Sequence, residues 1–352
     1  MQDFVETSVE LQFFFDNGYK NINNDSKPDL GLHCILGGSI KRLDSKVLFD
    51  TLESQISQGG YNFHNIEGFD MSGKKSVLDF QNMKKEGKKV TWLTSYDYPT
   101  AMFAERSGID MILVGDSMGM CVYGYSGGTI PVTMDQCIVH TEAVRRGAPN
   151  TFVMGDMPFL SYQTTPAEAV KNAGRFYKEA SVDAIKLEGG KRIIDMIKAI
   201  INAGMVVCGH IGLTPQSSGQ IGGFKAQGRT AESAYELIQD ARTIQEAGAA
   251  LLLLEAVPPE LGQFIAKDLR IPVYGIGAGP HVDGQLLIVS DMLGLFQAFT
   301  PKFVKVYGNL AEQTIKAMQA YVKDVKESAF PEEKHCYAMI EGEFEKMLEL
   351  VK

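Results

Sequence analysis

Between about residues 90 and 295 the sequence repeats one alternation eight times, a short run rich in Val, Ile and Leu followed by a more polar stretch. The runs are VTWLTSYD, MILVGDS, TFVMGDMP, AIKLEGG, VVCGHIG, ALLLLEAV, PVYGIGAG and QLLIVSDM. Among the intervening stretches, AEAVKNAGRFYKEA and AESAYELIQDARTIQEAGAA carry helical periodicity. Strands that alternate with helices imply parallel pairing through right-handed crossovers. Runs apolar on both faces suit strands covered by helices on one side and packed inward on the other. Eight such units make a closed (β/α)8 barrel, an α/β fold of roughly 250 residues in its usual form. An open doubly wound sheet is the alternative, but no GxGxxG turn follows the first run.

Nearly every run stops on a polar or glycine-rich step: Asp97, Asp116–Ser117, Asp156, Glu188, His210, Glu255, Gly277–Gly279 and Asp291. Because the C-terminal ends of barrel strands converge on one mouth, these residues are expected to meet there. Asp116, Asp156 and Glu188 close three successive runs, and as neighbours they would repel and raise one another's pKa values. A hard dication relieves that repulsion, and oxygen-only ligation suits Mg²⁺. The alternative for each acid is a helix N-cap or an ion pair. Lys186 lies two residues before Glu188, on the same strand face. A buried lysine needs an anion, either a substrate carboxylate or enolate oxygen or one of the same acids. His210 is the histidine at an expected strand end, suited to orient a substrate or to bond the backbone as a core residue. Glu255 follows four leucines. Partial desolvation there favours a general base, with an ion-paired or capping acid as the alternative.

GIGAGPHVDG has the look of a phosphate loop, and its glycines equally suit close backbone packing. The glycines of GYSGG and GQIGGFKAQG suit mobile loops over the mouth, or plain turn chemistry. Cys121 and Cys208 read as buried small residues. Hydrophobic residues make up 45% and charged residues 22% of the 352-residue chain, enough for an ordinary core. A net charge of -9 argues against a nucleic-acid or anionic-membrane partner. Five scattered cysteines (Cys34, Cys121, Cys137, Cys208, Cys336) fit a reducing cytosol. The start lacks the basic-then-apolar order of a signal peptide, and no apolar run approaches the roughly 18 residues of a membrane span. A cytoplasmic protein is expected, with residues 76–310 as the barrel and 311–352 as C-terminal helices. Residues 1–75 form an extension in which LHCIL, SKVLFDTLESQISQGG and YNFHNIEGF suggest a small strand–helix–strand module.

Ten blocks in order carry a resemblance: TSYDYPTA, LVGDSMGM, PVTMDQCIVHTEAVRRGAPN, GDMPF, IKLEGG, CGHIGLTPQS, GGFKAQGR, LLEAVP, GIGAGPHVDGQ and PKFVK. Together, over about residues 75–330, they resemble the ketopantoate hydroxymethyltransferase family. The resemblance implies a barrel of the phosphoenolpyruvate mutase/isocitrate lyase type and a Mg²⁺-dependent transfer. In it, 3-methyl-2-oxobutanoate receives a hydroxymethyl group from 5,10-methylenetetrahydrofolate through an enolate, giving ketopantoate for pantothenate and coenzyme A synthesis. It further implies Asp116, Asp156 and Glu188 as the metal-associated acids. Asp116, Ser117, Asp156, Lys186 and His210 become the substrate contacts and Glu255 the catalytic base. A homo-oligomer is implied too, the family often forming decamers. Two features depart from the family pattern: the extension of about 75 residues, and the loop GYSGGTIPVT, one residue longer and without the usual His–Asp pair. Other enzymes of the scaffold, metal-dependent lyases and mutases of 2-oxo acids, usually carry a KxxCG-like cysteine loop that this sequence lacks.

Overall fold

The computed structural model of the protein describes residues 73–352 and the backbone of two short strands before them. The chain divides into two compact units, Met1–Phe69 and Asp70–Lys352. In the first, β1 (His33–Leu36) and β2 (Ser39–Arg42) form an antiparallel hairpin. Strand β1 falls on the LHCIL run. The expected helix and second strand of that module lie outside the described residues.

The second unit is the barrel. Its strands are β3 (Val90–Thr94), β4 (Met111–Val114), β5 (Phe152–Asp156), β6 (Ala184–Glu188), β7 (Val207–Gly212), β8 (Leu251–Glu255), β9 (Val273–Ile276) and β10 (Gly284–Leu287). They pair in parallel in the closed order β10-β3-β4-β5-β6-β7-β8-β9. Seven lie within the apolar runs, and β10 starts one residue ahead of the eighth, at Gly284. Side chains such as Trp92, Met154, Leu251, Leu253 and Tyr274 fill the interior. Phe80, on the helix Val77–Lys85, belongs to this interior cluster and meets Phe152 edge-on at 5.1 Å. The outer faces pack against the helices. In Pro166–Ala180, Thr165 caps the N-terminus by accepting from Glu168 N–H at 3.2 Å, and Pro166 takes the first position. That helix buries Ala169, Ala173, Phe176 and Ala180, one stripe at helical spacing. A large apolar side chain buried in this way contributes about 1.5–3 kcal/mol.

One connection breaks the strict alternation. Residues 277–283 link β9 to its parallel neighbour β10 without a helix, where crossovers ordinarily take a dozen residues or more. The glycines of GIGAGPHVDG make this possible. Gly277 and Gly279 have φ of 71° and 81°, and a Cβ on them would come within 2.6 Å of Phe303 and Pro259 respectively. Their part in the fold is thus the close-packing one. At the C-terminus the helix Leu310–Lys326 matches expectation. The next helix runs only Glu343–Leu350, later than the AMIEGEFEKMLELV pattern suggested, because Gly342 at φ 79° breaks the chain direction. No helix among the described residues is long and apolar enough to cross a membrane.

Candidate active site

Strand register brings the chemistry together. Asp156 on β5 pairs with Lys186 on β6, and Glu188 on β6 pairs with His210 on β7. Gly212, two residues past His210, pairs with Glu255 at the end of β8. Asp116 follows β4, and its backbone N–H donates to Asp156 Oδ2 at 3.0 Å. The six charged or ionisable side chains therefore line one cavity of about 530 Å³, with Ser117 beside them. Lys186 Nζ lies 2.9 Å from Asp156 Oδ1, 3.2 Å from Glu188 Oε1 and 3.2 Å from His210 Nδ1. His210 Nε2 faces Glu255 Oε2 at 3.3 Å. All are buried except Glu255, whose side chain keeps 15% exposure towards the cavity. Ser117 Oγ is bonded to Tyr96 OH at 2.8 Å. Asp97, by contrast, takes the capping role, accepting from Thr100 N–H at 2.8 Å. Both glycine loops border the mouth: Thr129 follows the first, and Phe224, Lys225 and Ala226 from the second line the cavity.

A family model described as ketopantoate hydroxymethyltransferase matches residues 74–333. The chain belongs to this family. Curated relatives named 3-methyl-2-oxobutanoate hydroxymethyltransferase agree. That of Alkaliphilus metalliredigens is 61% identical over 80% of this chain and 100% of its own length. That of Geobacillus kaustophilus is 51% identical over 77% of this chain and 96% of its own. Among solved structures, 2,3-dimethylmalate lyase, described as a PEP mutase/isocitrate lyase superfamily member, is 16% identical and covers 78% of this chain and 93% of its own, with a TM-score of 0.47. Ketopantoate hydroxymethyltransferases are transferase enzymes, so the cavity is read as an active site.

The acids of this hydroxymethyltransferase fold are not equivalent. Burial, then the charge of Asp156 and Glu188, raises the Asp116 carboxyl well above its ordinary value. Burial also raises Asp156, with Lys186 opposing. Asp156 Oδ1 is close to the lysine, yet the angle is wrong for a hydrogen bond and the buried atom has no other partner. A dication would relieve both conditions. Glu188 differs. Burial opposes its charge, but Lys186 and His210 outweigh it and bring the carboxyl down to about 2. One of its oxygens faces Lys186 and His210, and the other accepts from Gln216 N–H at 3.0 Å. Among the described residues, no three His, Cys, Asp or Glu side chains are arranged around one ion position. Mg²⁺ ordinarily takes one or two carboxylates and completes its shell with substrate and water. Asp116 and Asp156 fit that share. Burial would discharge Lys186, but the three acids hold it well above its usual range, so it stays an ammonium. Burial and Lys186 also lower His210, and the neighbouring carboxylates of Glu188 and Glu255 more than compensate.

Sequence reasoning missed three supporting residues. Gln216 Nε2 donates to Asp116 Oδ2 and to Met157 O, both at 2.9 Å. Tyr162 OH accepts from Glu188 N–H at 2.9 Å and reaches Gln216 Oε1 at 2.8 Å. Tyr96 holds Ser117. Gln216 did sit in the quoted CGHIGLTPQS block. Tyr162 lies in the bend after β5, where neither periodicity nor charge gave a signal.

Proposed function

We propose that this protein transfers a hydroxymethyl group from 5,10-methylenetetrahydrofolate to 3-methyl-2-oxobutanoate, forming 2-dehydropantoate for pantothenate and coenzyme A synthesis. The observation that carries the reading is the convergence of Asp116, Asp156, Lys186, Glu188, His210 and Glu255 on one cavity in a member of this family. Asp116 and Asp156 would hold Mg²⁺, with Glu188 associated through its fixed position beside them. The bound ion supplies Lewis acidity to the 2-oxo acid, making the C3 proton easier to remove.

The chain's own groups do the rest. Lys186 and Ser117 bind the substrate oxygens, and His210 orients the substrate alongside Glu255. Glu255, at the partly open end of β8, takes the C3 proton as general base. The electron pair left on C3 attacks the donor's methylene carbon and forms the new C–C bond as one of that carbon's two C–N bonds breaks, the bonding pair staying on the folate nitrogen, which takes up a proton. Cleavage of the methylene carbon's remaining bond to folate nitrogen, with water supplying the hydroxyl, gives product and tetrahydrofolate. The loops holding Phe224 and Thr129 exclude bulk water from the mouth. The reading also places the enzyme in the cytoplasm as a homo-oligomer, in keeping with four free cysteines among the described residues.

Purified enzyme incubated with both substrates and Mg²⁺ should form 2-dehydropantoate in equal amounts with tetrahydrofolate. Product formed from the 2-oxo acid without any donor would instead favour a lyase or mutase reaction and overturn the reading.

A further inference from the structure

One acid of the cavity has no part in that chemistry. Asp291 stands after β10 in the short helix Val289–Met292. Val289 N–H donates to Thr94 Oγ1 on β3 at 3.0 Å, which ties this segment to the barrel rim. The Asp291 side chain lines the cavity and the residue is only 9% exposed. Each of the other cavity acids has a partner: Gln216 for Asp116, Lys186 for Asp156 and Glu188, His210 for Glu255. Among the described residues, no hydrogen bond or ion pair reaches the Asp291 carboxylate. Cys121 marks its neighbourhood, because burial and then the charge of Asp291 push that thiol up to about 11. The same cavity is lined by Ile288, Phe296, Phe299 and Phe303, with Lys302 among them.

A carboxylate left unpaired at this depth is costly unless a ligand brings donors to it. The 2-oxo acid brings only acceptors and a negative charge, so it is not that ligand. A flat heterocycle with two adjacent N–H donors on one edge is, since a carboxylate accepts such a pair in parallel. Aromatic walls suit the ring faces. On the reading that the donor is a reduced folate, we infer that Asp291 anchors its pterin, accepting from the N3–H and 2-amino groups. This sets the ring's orientation, and so the presentation of the methylene carbon to C3.

The test is calorimetric titration of tetrahydrofolate, and of its 2-desamino-2-methyl analogue, into Mg²⁺-loaded wild type and Asp291→Asn. Binding of 3-methyl-2-oxobutanoate verifies that the variant is folded, and Asp291→Ser replaces it if it is not. Tetrahydrofolate should bind the variant about tenfold more weakly or worse, the loss of a charged hydrogen-bond partner. The analogue should bind both proteins within about threefold of each other. Equal tetrahydrofolate affinity in the two proteins, or an analogue that discriminates as strongly as tetrahydrofolate, overturns the role of Asp291 alone. Wild type that neither binds tetrahydrofolate nor turns over its methylene derivative overturns the donor reading, and this inference with it.

Discussion

Two acids of the cavity depend on Gln216. Its Nε2 faces Met157 O at 2.9 Å, a carbonyl that can only accept, which settles which end of the amide is nitrogen and leaves Oε1 to Tyr162 OH at 2.8 Å and Gln163 Nε2 at 3.0 Å. Nε2 must then face Asp116, while the backbone N–H serves Glu188. Gln216→Leu should therefore weaken Mg²⁺ binding in the presence of the 2-oxo acid by about tenfold or more, the worth of a charged hydrogen bond. Isothermal calorimetry measures it, and unchanged affinity would show that Asp116 holds its place without the amide. Asp291 gives a pH signature. Burial raises its carboxyl to about 6, and Tyr96 and Cys121 are its titratable neighbours. Above that value it is an anion and accepts both donors. Below it the proton occupies one oxygen, so tetrahydrofolate affinity should fall as pH drops through about 6 in wild type, and stay flat in Asp291→Asn. The same slope in both proteins would place the titration elsewhere. Neither residue could be assigned from the chain alone. Asp291 was visible as a strand-end acid, but its lack of a partner is a property of the assembled rim.

At the level of elements, the strands were legible because most are buried on both faces and so written as apolar runs, with Thr91 on β3 and Gln285 on β10 as exposed exceptions. The interior they enclose is sealed by contacts such as Phe80 on Phe152. Phe80→Ala should cost about 3–5 kcal/mol of unfolding free energy, the usual range for emptying a buried aromatic site. Denaturant unfolding checks this, and a loss below 1 kcal/mol would mean that this end of the barrel collapses around the gap. The β9–β10 connection was not legible as a crossover without a helix. Local sequence marks Gly277 and Gly279 as special, but only Phe303 and Pro259 reveal that the space for a side chain is already taken. The late start at Glu343 has a similar cause, with one left-handed glycine overriding the apolar period around it.

At the scale of the whole molecule, closure of the barrel is what turns separate strand-end acids into a site. That could be read ahead of the structure because the mouth of such a barrel is fixed by topology. The division of labour among the acids could not, since it depends on angles and distances around Lys186 and Gln216. Nor could the sequence decide what the C-terminal helix packs against. In the single chain Ile315, Met318, Tyr321, Val322 and Val325 stand exposed along Leu310–Lys326. An apolar stripe of this kind favours self-association. Light scattering on the eluting protein should give a mass of several chains, and a monomer at micromolar concentration would contradict it.

On the proposed function, the gathered acids make C3 of a 2-oxo acid acidic and give its proton to Glu255. Proton NMR of 3-methyl-2-oxobutanoate in D₂O, with Mg²⁺ and no folate, follows that step alone. The C3–H signal should disappear with wild type and do so about 100-fold or more slowly with Glu255→Gln, the usual worth of a general base. Absence of exchange with wild type, or equal exchange in both proteins, would contradict it.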